Sequence, residues 1–215
     1  MSTATRSAAI AALIALASYL LLMPTAQAQT PTCFGAAATI VGTAGDDDID
    51  GTSGDDVIVG LGGNDKLDGG AGNDRICGNN GNDEVDGETG NDQVNGQAGN
   101  DLGRGKFGVD TVLGGAGMDR VRGDEDNDVV VGGPGNDEVE GGLGNDGVRG
   151  EAGDDEVDGD EGNDRVLGGD GSDFLEGGEN DDFLDGGPGT DALDGDAGVD
   201  RCINGEVRED CESTT

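Results

Sequence analysis

The stretch "GGPGNDEVEGGLGND", residues 132–146, holds six glycines and one proline, with Val139 and Leu143 as its only large apolar side chains. Glycine loses more backbone freedom on folding than any other residue, so this segment cannot order itself in isolation. Its internal spacing is informative. Asp137 and Asp146 are nine residues apart, and each follows the same Gly-Gly-x-Gly-Asn run. Working outward from it, the chain divides every nine residues from Gly45 through Gly205 into eighteen units without one insertion or deletion. The third place is always Asp. The seventh is Gly except at Asn204, and the first is Gly except at Asp126 and Asn180. The fifth is Ile, Leu or Val, except at Gly103 and Cys202.

Composition alone points the other way. A formal charge of −37, 2% aromatics and 46 glycines in 215 residues is the signature of a disordered chain. A disordered acidic tract has no reason to keep one aliphatic residue at every ninth position, so the period outweighs the composition. The acidity excludes nucleic acid and anionic membranes as partners and favours cations. Histidine is absent, which removes Ser/His/Asp and Cys/His triads and any histidine-based zinc site.

Residues 1–28 read as a cleaved export signal: Arg6, then an apolar run from Ala8 to Met23, then Ala26-Gln27-Ala28 as a small-x-small cleavage site. The run falls short of the ~20 residues a membrane span needs. The processed chain starts near Gln29 and is secreted to the exterior, with the periplasm as the alternative endpoint and no membrane contact after cleavage. Residues 29–44 form an N-terminal cap segment and 206–215 a C-terminal tail. Export predicts that Cys33, Cys77, Cys202 and Cys211 form two disulfides. Of three pairings, the short Cys202–Cys211 bridge is favoured, leaving Cys33 with Cys77. No CxxC pair supports a zinc site.

The units "GGAGND" (69–74) followed by "RIC" and "GGLGND" (141–146) followed by "GVR" match the pattern G-G-x-G-x-D-x-U-x, with U large and apolar, in full. The chain therefore resembles the RTX, haemolysin-type calcium-binding repeat family over residues 45–205. The resemblance implies an all-β fold: a right-handed parallel β-roll with two nonapeptides per coil, about nine coils in all, and calcium between stacked turns. The residues are consistent with it. A three-residue strand such as Glu138-Val139-Glu140 turns one side chain inward and its neighbours outward, and the glycine-rich remainder reverses the chain. One apolar residue per nine makes too thin a core, and stacking brings carboxylates into columns of like charge. Calcium, which takes six to eight carboxylate and carbonyl oxygens, relieves both.

The resemblance assigns the metal ligands to third-place carboxylates: Asp47, Asp56, Asp65, Asp74, Asp83, Asp92, Asp119, Asp128, Asp137, Asp146, Asp155, Asp164, Asp173, Asp182 and Asp191. With turns stacked on two edges, about sixteen Ca2+ ions at most fit the gaps. Fully written GGxGxD turns two units apart make Asp119 with Asp137, and Asp173 with Asp191, the best-formed pairs. "GNDLGRGKF" (99–107) is the weakest stretch, with Gly103 at the core place and Lys106 near the turn.

"DDDIDG" (46–51) opens like an EF-hand loop, but Val57 stands where the closing Glu belongs. "GRGKFG" (103–108) fits GxGxxG without the strand and helix that motif needs. Alternate units stack, so the two outer faces differ. Odd units present many acids, among them Asp86, Glu138, Glu140 and Asp158. Even units present one acid, Asp185, against Arg75, Arg149, Arg165 and Arg201, with Val57, Val59, Leu113, Val129, Val131, Leu167, Phe183 and Ile203 expected on the surface. Such an apolar stripe predicts a contact with a second copy, or with a surface or polysaccharide. Family members often join these repeats to a protease, lipase or pore-forming region, and residues 29–44 and 206–215 offer no room for one. The expectation is a non-enzymatic calcium-binding structural or interaction module. A carbohydrate- or surface-binding adhesin-like module, or the remnant of a toxin or enzyme, is the alternative.

Overall fold

The computed structural model describes residues 30–211. Every described nine-residue unit contributes one strand, and successive strands go alternately to two ten-stranded parallel sheets. One sheet runs from Asp48–Asp50 to Val207–Glu209, the other from Ile40–Val41 to Arg201–Ile203. Val121 pairs with Gly103 and with Val139, so the stacking period is two units. This is the β-solenoid that the repeat predicts. No helix occurs among the described residues, and none is long and apolar enough to cross a membrane. The expected leader, residues 1–28, lies outside the described residues.

Alternation along each strand explains the core. In Glu138–Leu143, Val139 and Gly141 are buried while Glu138 and Glu140 are half-buried on the outer face. The fifth-place residues from Ile58 to Leu193, closed by Cys202, make one continuous cluster between the sheets. Gly103 leaves no hole in it. A Cβ there would lie 3.1 Å from Val112 Cγ1 and 3.3 Å from Val121 Cγ1, so methyl groups of neighbouring valines already border the position. Strands in the middle of the stack are six residues long rather than three, because pairing continues through the eighth and ninth places, as in Lys106 with Asp124 and Phe107 with Glu125.

Two glycine places are dictated by close approach. Gly135 has φ +153°, and a Cβ on it would lie 1.4 Å from the carbonyl oxygen of Gly117 in the preceding coil. Gly132 stands so near its own turn's carboxylate that a Cβ would lie 2.6 Å from Asp137 Oδ2. The first is a contact between coils, the second a contact within a turn. Both recur along the stack, which accounts for the sequence that first looked unfoldable.

Both ends are tied down. Cys33 and Cys77 form a disulfide, and a short antiparallel pair, Thr32–Cys33 with Ala36–Ala37, lies over Val57, Val59 and Cys77. Ile40–Val41 then pairs with Ile58–Val59, so the cap segment joins the even-unit sheet one place upstream of the first counted unit. At the other end Cys202 bridges Cys211. Val207–Glu209, expected in the tail, is the last strand of the odd-unit sheet and pairs with Ala192–Asp194.

Candidate metal centres

The turns connecting the sheets place every third-place Asp at the same point, in two columns. Asp47, Asp65, Asp83, Asp119, Asp137, Asp155, Asp173 and Asp191 share one edge. Asp56, Asp74, Asp92, Asp128, Asp146, Asp164 and Asp182 share the other. Within a column, each backbone N–H up to Asp182 donates to Oδ1 of the Asp eighteen residues on: Asp119 to Asp137 at 2.8 Å, Asp128 to Asp146 at 2.7 Å, Asp137 to Asp155 at 2.9 Å, while the Asp191 N–H donates to Glu206 Oε2 at 2.7 Å. One carboxylate oxygen is thus spent on joining coils. The other, Oδ2, is buried without a hydrogen-bond partner at every column member from Asp65 to Asp191. Such a group carries a desolvation penalty of about 1–3 kcal/mol, more when charged.

Burial drives these carboxyls toward their neutral form. Asp128 is pushed up to about 8, by burial first and then by the charges of Asp110, Asp146 and Asp126. Burial, followed by neighbouring aspartates, also lifts Asp92, Asp164 and Asp182 to about 7. Asp56 is the exception: hydrogen bonding from the Thr52 hydroxyl lowers it.

Backbone oxygens share the gaps between turns. The carbonyls of Gly117 and Gly135 accept no backbone hydrogen bond among the described residues, and each lies against the Cα of the first-place glycine one coil on. No group of three or more Asp, Glu or Cys side chains converges on one point among the described residues. A cation placed between two turns could take carboxylate oxygen from the bordering turns and would need carbonyls to complete its shell. A hard ion with a large, flexible oxygen shell suits that donor set, and calcium is the common one. The orphaned Oδ2 atoms fit it.

Asp101 and Asp110, outside the expected ligand set, have the same geometry. Each accepts from the Asp eighteen residues before it, at 2.8 and 2.7 Å, and each keeps a buried, unpartnered Oδ2. Lys106 turns its ammonium outward to Asp86 and Glu88, away from the turn. The backbone at the second glycine of GGxGxD does not depend on that residue being glycine. Glu88, Gln97, Lys106, Asp124 and Glu151 stand at that place with φ of +74° to +85°, the same backbone region as the glycines there.

Sequence reasoning missed a second ladder. Second-place Asn and Asp side chains accept from the N–H eighteen residues on, as in Asn82 to Asn64 at 2.8 Å and Asn100 to Asn82 at 2.9 Å. It runs opposite to the Asp ladder. The recurrence of Asn before the invariant Asp was its signal.

A model of the RTX calcium-binding nonapeptide repeat (four copies) matches residues 40–76, 77–112, 113–148, 132–166, 140–175 and 167–202. The chain belongs to this RTX family. No curated protein matches it. Family and fold together make it a calcium-binding β-roll module built from RTX repeats. The two disulfides suit an oxidising compartment.

Proposed function

We propose that this RTX protein is exported, folds on binding Ca2+ outside the cytoplasm, and serves there as a structural or interaction module rather than an enzyme. The observation that carries the reading is the column of buried, unpartnered Oδ2 atoms from Asp65 to Asp191. Without a cation, each turn must either protonate its carboxyl or hold an uncompensated charge. With one, the same oxygens and the first-place carbonyls become ligands. Ca2+ supplies positive charge between stacked turns. The chain's own part is to orient Oδ2 through the Oδ1–amide ladder and to keep side chains out of the gap by glycine.

Because ions bind the folded chain and not the unfolded one, they stabilise it by linkage, and a calcium-poor cytosol leaves it unfolded until export. Site affinities of about 10⁻⁴–10⁻³ M suffice outside a cell. Circular dichroism of the processed chain at pH 8, titrated with Ca2+ and then with chelator, tests this. Calcium-dependent gain of β-sheet signal, reversed by chelator, is expected. A compact, cooperatively melting chain after exhaustive EGTA dialysis, or a shapeless one in millimolar Ca2+, overturns it.

A partner reading rests on the even-unit face. Arg104, Lys106, Arg120 and Arg122 on the odd-unit face are all ion-paired, whereas Arg75, Arg149, Arg165 and Arg201 have no carboxylate partner among the described residues. Arg165 and Arg201 instead lie over the two sides of the stack at Phe183, 4.8 and 5.3 Å from its ring centre. Val129 is 45% exposed nearby. This face docks a second copy or an acidic polysaccharide surface. A calcium-loaded monomer, with sedimentation and polysaccharide retention unchanged by Val129→Lys with Val131→Lys and by Arg165→Glu with Arg201→Glu, refutes it.

A further inference from the structure

The first turn on each edge is built differently from those that follow. At the eighth place of a unit, every residue from Leu61 through Asp196 has positive φ, glycine or not. Thr43 and Thr52 occupy the equivalent place in "GTAGDD" (42–47) and "GTSGDD" (51–56), and neither lies in that region. Their turns close on themselves. The Thr43 N–H and hydroxyl donate to Asp47 Oδ2 at 2.6 and 3.0 Å, and the hydroxyl lies 3.2 Å from the Gly45 carbonyl oxygen. Thr52 repeats this with Asp56 Oδ2 at 2.8 and 2.7 Å and with the Gly54 carbonyl at 3.3 Å.

These are the same two kinds of oxygen, third-place Oδ2 and first-place carbonyl, that stay unpartnered in later turns such as Gly117–Asp119 and Gly135–Asp137. A hydroxyl sits among them here, with its single proton shared between two acceptors. We infer that Thr43 and Thr52 take the cation's place in the first turn of each edge, so that Asp47 and Asp56 are not calcium ligands and the N-terminal coil is completed without metal. The inference rests on the calcium reading of the other turns. It replaces the expectation from the repeat pattern alone, which counts Asp47 and Asp56 with the rest. The surroundings agree: the Cys33–Cys77 bridge ties the cap segment across this coil to the next one, and Val57 and Val59 of this coil lie in the apolar patch beneath the cap. This coil offers a finished edge onto which ion-dependent coils add.

The experiment counts ions bound to the full, disulfide-intact chain by atomic emission after gel filtration in saturating Ca2+. Asp47→Ala and Asp56→Ala are expected to leave the wild-type count unchanged, while Asp119→Ala lowers it. As a second variant, Thr43→Gly with Thr52→Gly writes GGxGxD into both turns and is expected to raise the count by up to two. Loss of ions in Asp47→Ala or Asp56→Ala equal to that in Asp119→Ala overturns the inference and leaves calcium-dependent folding standing. So does an unchanged count in the folded double-glycine variant. A wild-type chain that binds no calcium refutes the proposed function itself, which the wild-type count alone reveals.

Discussion

Replacing Asp128 by Asn should have opposite effects with and without calcium. Asp128 is 2% exposed, its Oδ1 accepts from the Asp110 N–H at 2.7 Å, and its Oδ2 has no partner. Its carboxyl titrates at about 8 in the metal-free roll, against 3.8 for the ordinary group. A folded value above the unfolded one means the folded state binds its proton more tightly. The stability this contributes is complete below about pH 4 and is lost as pH rises toward 8. At pH 7 the solution is about three units above the unfolded value, so holding this proton costs about 4 kcal/mol at 1.36 kcal/mol per unit.

Asn keeps the Oδ1 acceptor and never ionises. In calcium-free solution the variant should therefore be more stable than wild type by up to about 4 kcal/mol at pH 7 and by nothing at pH 4. In millimolar Ca2+ it should be less stable, because an amide is a poorer ligand than a carboxylate. Urea melts of disulfide-intact protein, dialysed free of calcium, measure the difference from pH 4 to 7. Where wild type is unfolded at neutral pH, the readout is the pH below which β-sheet circular dichroism appears, which should be higher in the variant. A variant that destabilises equally in calcium and in its absence, or a gain that does not fade on acidification, would refute the reasoning.

Three further outcomes follow from other parts of the fold. Gly135→Ala puts a methyl 1.4 Å from the Gly117 oxygen, and should cost several-fold more than a surface Gly→Ala, about 3 kcal/mol or more, read as a lower melting temperature in Ca2+. Removing the Cys33–Cys77 bridge, which spans 44 residues, should cost about 4 kcal/mol by loop-closure entropy, against about 3 for Cys202–Cys211 with its span of 9, measured by urea titration. Asn82→Ala breaks one rung at an exposed edge, leaving the Asn100 amide to water, and should cost only about 1 kcal/mol in the same assay.

The coil architecture was legible in the sequence because its determinants are local and repeated. An invariant Asp, an aliphatic fifth place and two glycine places fix register at every step, and two bridges follow from four cysteines. What escaped was whatever depends on direction across coils. Nothing in "GND" says that Asn reaches one way along the stack and Asp the other, since both interactions join residues eighteen apart. Leu61 and Lys106 at positive φ were equally invisible, because stacking imposes a backbone region their side chains do not favour. Threonine in the first two turns reads as a harmless replacement for glycine until its hydroxyl is seen among the oxygens.

The pairing interval of two units has a consequence for how such a chain can change length. Excising one nonapeptide, for instance residues 126–134, keeps every turn intact but exchanges the sheet to which each later strand belongs. Arg149, Arg165 and Arg201 would then share a surface with Glu84 and Asp86, and the acids after the cut would move to the opposite side. Duplications and deletions of 18 residues preserve the two characters, while those of nine invert them. Growth in pairs is the only arithmetic that keeps a two-faced ribbon two-faced.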